Sequence, residues 1–180
     1  MNNLASKTVF GFTQLITVLA ILLLAPAWTL DYWQAWVYLS VFAASSASIT
    51  AYLWKEDPQL LERRINAGPG AEQERSQKLL QLLASSVFIG AMILASLDHR
   101  FSWSAVPLPI VVMGDVLVAL GFLVVFVVFK ENTFTAATIT VTPDQKVVST
   151  GPYAVVRHPM YSGALVMLLG TPLALGSWWG

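Results

Sequence analysis

Five apolar runs, each about as long as a helix that crosses a bilayer, alternate along this chain with polar stretches. They are Val9–Leu30, Trp33–Trp54, Leu79–Leu97, Val106–Phe129 and Met160–Trp179. Roughly 20 helical residues cover the roughly 30 Å of hydrocarbon in a bilayer. Backbone groups in lipid must be satisfied within the segment itself, so such runs are expected as helices. The pattern predicts an all-α, polytopic membrane helix bundle with about five transmembrane helices, forming a single domain over 1–180.

The polar stretches refine this layout. Only Asp31-Tyr32 separates the first two runs, which predicts a tight antiparallel hairpin with Trp28, Trp33 and Trp36 at the membrane interface. Between Lys55 and Gln77, Asp57-Pro58 marks a helix start and Gly68-Pro69-Gly70 a break. Leu60, Leu61 and Ile65 beside Glu62, Arg63 and Arg64 fit a short helix lying on the membrane surface; a solvated connector fits them equally. The stretch from Lys130 to Thr150 is rich in threonine and β-branched residues, with a turn at Pro143-Asp144. An extended arm or small hairpin returning to the bundle is expected there. Ala25-Pro26-Ala27 faintly resembles a signal-peptidase site, but the run before it is long and only Lys7 precedes it, so a retained anchor is expected.

Composition narrows the function classes. Hydrophobic residues make up 56% of the chain and charged residues 11%, with mean hydropathy +0.66, against about 25% charged in soluble domains. Net charge is zero, so nothing points to a nucleic-acid partner. The absence of cysteine excludes disulfides, thiolate metal sites and a cysteine nucleophile. Two histidines without cysteine give no convincing metal ligand set. Of the 10 Lys and Arg residues, only Arg100 falls on one side of the five-helix layout. The other side, which holds the N-terminus, is therefore expected to be cytoplasmic. A multi-pass integral membrane protein follows, in the plasma or inner membrane if the source is prokaryotic.

Polar residues inside or beside the apolar runs are candidates for chemistry. Asp115 is the one acid within a run, and intramembrane charges are functional by default. Pro107 and Pro109 place the helix start close by, so a packing role or a water-filled recess is the expectation. His99, between Asp98 and Arg100, is expected to be a solvated loop histidine. The densest cluster is Gly151-Pro152-Tyr153-Ala-Val-Val-Arg157-His158-Pro159-Met160-Tyr161-Ser-Gly163, at the mouth of the last run. Pro159 suits a first helical turn, which puts Arg157 and His158 at the positive end of that helix. Such an end suits a carboxylate or phosphate, and Tyr153 and Tyr161 could stack on a purine or close over a cation. Gly163 and Gly170 leave a small-residue face that another helix or a ligand could approach closely.

Gly151-Pro152-Tyr153 followed by Arg157-His158-Pro159-x-Tyr161-x-Gly163 resembles the signature of the isoprenylcysteine carboxyl methyltransferase family. That family belongs to a membrane superfamily with the phospholipid N-methyltransferases and the sterol reductases. The resemblance covers Lys130 to Gly163 and implies S-adenosylmethionine as cofactor, bound at the cytoplasmic ends of the last helices. It carries the family's cofactor contacts to Tyr153, His158, Pro159, Met160 and Tyr161, and to Gln145, Lys146, Val147 and Val148 before them. Gln145 stands where some members have histidine, so a backbone contact is expected there. Arg157 is expected to hold the methionine carboxylate or order the loop, and is the one candidate for a catalytic role.

The resemblance further implies a lipophilic or small acceptor, such as an isoprenylcysteine-like carboxylate, a phospholipid amine or a thiol. A later hydrophobic stretch and a helix with arginine and paired glutamates, usual in the family, do not occur within the 180 residues. The sequence is therefore expected to hold the donor-binding part of the site without the family's C-terminal segment. Two other readings remain open: a superfamily reductase using a nicotinamide cofactor, and a non-catalytic membrane subunit.

Overall fold

A computed structural model of the chain describes residues 2–65, 75–133 and 148–180. Six α-helices and no strand occur among the described residues: α1 Asn2–Ala27, α2 Trp33–Glu56, α3 Pro58–Ile65, α4 Arg75–Phe101, α5 Leu108–Glu131 and α6 Pro159–Ala174. Four of them, α1, α2, α4 and α5, are long and apolar enough to cross a membrane. Helix α1 packs against α4 and α2; α2 packs against α5; α6 lies along α5 and also touches α2 and α4. One apolar core, centred on Leu23, Tyr38, Met92, Val118 and Leu175, joins all five long helices.

The fifth expected span is shorter as a helix than its apolar run. Helix α6 ends at Ala174 after 16 residues, about 24 Å at 1.5 Å per residue. Gly176 takes a left-handed φ of 71°. The Ser177 N–H then donates to the Pro172 carbonyl and the Gly176 N–H to that of Leu173, the paired pattern that closes a helix at glycine. Hydropathy carried on through Leu175 and Trp178-Trp179, but the glycine stops the helix. The α1–α2 connection is also longer than Asp31-Tyr32, because α1 ends at Ala27 and Trp28 turns the chain with φ 57°.

The pairing of α5 with α6 is the closest in the bundle. Gly114 and Gly121 on α5 face Gly170 and Gly163 on α6, so the expected small-residue face of α6 meets another helix. A Cβ at Gly121 would sit 2.7 Å from the Gly163 carbonyl oxygen, and one at Gly170 would sit 2.7 Å from that of Gly114. Glycine at both levels of both helices lets the backbones touch, which is how packing replaces the hydrophobic effect between helices in lipid.

At the hairpin end of the bundle, a buried polar clasp fixes the helix ends. Tyr32 is fully buried, and its hydroxyl donates to the Leu175 carbonyl at 2.8 Å. Burial, and then the nearby Asp98 charge, hold its phenol well above the ordinary tyrosine pKa. His99 is not a solvated loop residue: it lies in the last turn of α4, half-buried, stacked on Tyr32 with centroids 3.9 Å apart. Asp98, almost fully buried, accepts hydrogen bonds from the Ser104 N–H, the Ser104 hydroxyl and the Ser177 hydroxyl.

Candidate functional site

The opposite end of the bundle carries the Gly151–Gly163 motif, and the local sequence explains its shape. Helix α5 stops at Glu131, and Asn132 donates from its amide to the Tyr153 hydroxyl at 2.9 Å. The Thr150 hydroxyl donates to the Glu131 carboxylate. Gly151 turns the chain with φ 56°, and a Cβ there would meet the Glu131 side chain at 2.9 Å, so only glycine fits without strain. A 3-10 turn over Gly151–Ala154 follows. Pro159 then opens α6, fully buried, with His158 at the N-cap position.

This path brings some expected site residues together. The His158 and Tyr161 rings lie 5.8 Å apart, tilted by 40°, and both residues are exposed, as is Arg157. Tyr153, half-buried, is pinned through its hydroxyl to the end of α5. Met160 is half-buried and turns inward. Val148 is half-buried and leads into the motif. Gln145, Lys146 and Val147, with the expected arm or hairpin around Pro143-Asp144, lie outside the described residues.

Beneath the motif, a cavity of about 650 Å³ opens between α1, α2, α5 and α6, with α3 across its motif end. Its wall is mostly apolar, for example Phe12, Phe42 and Phe122, with hydroxyls from Thr8, Ser46 and Thr50. Met160 and Tyr161 of the motif belong to the same wall. The volume lies within the roughly 300–1,000 Å³ typical of small-molecule pockets.

Helix α3 is the short helix expected after Asp57-Pro58, and it packs onto the bundle instead of standing free as a solvated connector. Asp57 caps it by accepting from the Leu60 N–H at 2.9 Å, and Pro58 starts it. Leu60 and Leu61 are buried against Leu53 and Phe129. Arg63 donates to the Thr133 carbonyl at 2.5 Å, tying α3 to the chain just after α5. Arg64 turns the other way: its guanidinium lies 4.9 Å above the Phe129 ring, 4.0 Å from the Met160 sulfur, and on the cavity wall. Burial draws its pKa below the ordinary arginine value. The sequence signal was present in the Leu60-Leu61 pair three and four positions before Arg64, a spacing that puts apolar body and charge on one helix face.

Asp115 stands apart from this site. It is buried, and its Oδ1 has no hydrogen-bond partner among the described residues. Fifteen residues of α5 separate it from Lys130, about 22 Å along the axis, so it belongs to the other half of the bundle.

No curated protein and no solved structure matches the chain significantly. Residues 109–180, which take in nearly all of α5, the motif and α6, match the model of the phospholipid methyltransferase family, a family of the same membrane methyltransferase superfamily as the isoprenylcysteine carboxyl methyltransferases.

Proposed function

We propose that this chain uses S-adenosylmethionine to methylate a lipophilic acceptor at the cytoplasmic face of a membrane. One observation carries the reading. Met160 and Tyr161 belong both to the polar motif and to the wall of the apolar cavity, so a water-soluble donor and a lipid acceptor can meet across two residues.

The described residues fit the donor. Its sulfonium suits the aromatic faces of Tyr161 and Tyr153, and its carboxylate suits Arg157 and the positive end of α6. His158 and Pro159 shape the turn that presents these groups, with Gln145, Lys146, Val147 and Val148 as the preceding part of the same binding stretch. When bound, S-adenosylmethionine supplies an electrophilic methyl group. The protein's own task is then to hold donor and acceptor in line and keep water away, because displacement at a methyl carbon is governed mainly by positioning. A carboxylate acceptor needs no base, whereas an amine or thiol must first lose a proton. Arg157 is the candidate for orienting the donor at that step.

The test is cofactor binding by calorimetry with purified full chain in detergent. Binding to the native chain, weakened about tenfold or more by Arg157→Ala, His158→Ala or Tyr161→Ala, is the expected result. A native chain that takes up no S-adenosylmethionine would overturn the proposal.

A further inference from the structure

Two acids are buried among the described residues, and their surroundings differ. Asp98 accepts three hydrogen bonds, from the Ser104 N–H and from the Ser104 and Ser177 hydroxyls. Asp115 is 8% exposed, its Oδ1 has no hydrogen-bond partner among the described residues, and no ion pair there reaches it. It lies seven residues into α5, about 10 Å from the helix start. The elements packed on α5 bring no cation near it. Helix α6 and the Gly151–Ala154 turn have none, and the one basic residue of α2, Lys55, sits in the last turn of that helix. An ionised carboxylate left alone in an apolar interior is very costly, so something must neutralise this one.

What surrounds Asp115 is oxygen whose protons are already committed. Gly114 sets the α5 backbone against Ala174 of α6, one turn from Thr171. The buried Thr171 hydroxyl donates its one proton to the Met167 carbonyl at 2.8 Å. The buried Tyr38 hydroxyl of α2 stands 3.5 Å from the Thr171 oxygen, and the Asp115 charge acts on its phenol. One turn back on the same face of α2, the Gln34 Oε1 is a second buried acceptor without a partner among the described residues. Hard oxygens with one negative charge suit an alkali cation, whose single charge leaves the cluster neutral. A divalent ion would leave a buried positive charge, and no imidazole or thiolate stands among these groups for a transition metal.

We infer that Asp115, Tyr38 and Thr171, with Gln34 beside them, form a site for one alkali cation. Asp115 supplies the charge, the hydroxyl oxygens offer lone pairs, and the ion ties α2, α5 and α6 together in the half of the bundle nearer the α1–α2 hairpin. The site does not depend on the methyltransferase reading.

Thermal unfolding of the full chain in neutral detergent tests this, at fixed pH and ionic strength, with lithium, sodium or potassium chloride replacing N-methylglucamine chloride. The native chain should gain several degrees, saturably, with at least one alkali ion. The ion that saturates at the lowest concentration is the one the site takes. Asp115→Asn should unfold at the same temperature in every salt, because its neutral amide needs no counter-ion. Thr171→Val keeps the carboxylate and the shape, and should need about tenfold more ion for the same gain; it decides the matter if Asp115→Asn does not fold. Equal unfolding of the native chain in alkali and N-methylglucamine salts overturns the inference. So does an alkali response that survives unchanged in Asp115→Asn or in Thr171→Val.

Discussion

Adding one methyl group to the α5–α6 seam should loosen the bundle and displace the donor motif together. The perturbation is Gly114→Ala, with Gly170→Ala as its counterpart across the seam. A Cβ at Gly114 would lie 2.2 Å from the Ala174 nitrogen and 2.7 Å from the Leu173 carbonyl carbon, where ordinary contact begins at 3.4 Å. Relief requires the two backbones to part by about 1 Å, since neither atom belongs to a side chain that can swing aside. Overpacking of this kind costs about 1–3 kcal/mol. Helix α6 begins at Pro159, so its displacement also shifts Met160 and Tyr161 against the cavity. The assay is thermal unfolding in detergent, paired with S-adenosylmethionine binding. Gly11→Ala is the control, because its new methyl group meets nothing within 4 Å and alanine is the better helix former by about 0.5–1 kcal/mol. Both seam variants should unfold several degrees below the native chain and bind the donor more weakly, while Gly11→Ala unfolds at or above it. Seam variants as stable as the control would refute the argument that backbone contact, and not side-chain burial, holds α5 to α6.

Three further outcomes follow from the geometry. Gly151→Ala places a methyl group against Glu131 at a left-handed φ of 56°; it should cost about 1–2 kcal/mol and weaken donor binding, read by calorimetry. Asp98→Ala strands the Ser104 and Ser177 donors and should lower stability by about 1–3 kcal/mol in thermal unfolding, with donor affinity unchanged at the far end of the bundle. Burial keeps the Tyr32 phenol protonated above its ordinary pKa of about 10. Its contribution to stability is therefore fully present below that pH and is lost as pH rises above it, because the unfolded chain releases the proton first. Tyr32→Phe should flatten the alkaline side of a stability-versus-pH curve, and an unchanged slope above pH ~10 would count against the buried phenol as its source.

What the sequence revealed, and what it withheld, divides along one physical line. Apolar run length depends on each segment's own contact with lipid, so α1, α2, α4 and α5 were legible, and so was the turn at Gly151 where the backbone itself needs glycine. The Gly163 and Gly170 face announced close approach, yet only the fold shows that α5 supplies the opposing glycines. Where a segment's partner decides its place, the pattern was ambiguous. Leu60 and Leu61 could have faced lipid, water or protein, and the choice was made by Leu53 and Phe129, residues of two other helices. His99 looked like a solvated loop residue because its neighbours Asp98 and Arg100 are charged, but Asp98 turns inward to serine donors, one six residues on and one beyond the end of α6. The end of α6 was hidden by the apolar residues that follow Gly176, since hydropathy averages over a turn that one backbone angle makes.

The same distinction explains how the candidate site is held. The motif's shape is local: Asn132, Glu131 and Thr150 fasten the Gly151–Ala154 turn to the end of α5, and Pro159 aims α6. Its depth is not local. The seam sets how far Met160 reaches into the bundle, and α3 lies across the motif end of the cavity. Arg63 and Arg64, adjacent in sequence, divide the work by pointing to opposite sides of α3, one gripping Thr133 and the other lying over Phe129 at the cavity wall. Loss of Arg63 should therefore loosen α3 and lower the unfolding temperature in detergent, because its bond to Thr133 ties α3 to the chain just after α5. An Arg63→Ala chain that unfolds together with the native one would show that the buried Leu60 and Leu61, and not this bond, hold α3 on the bundle.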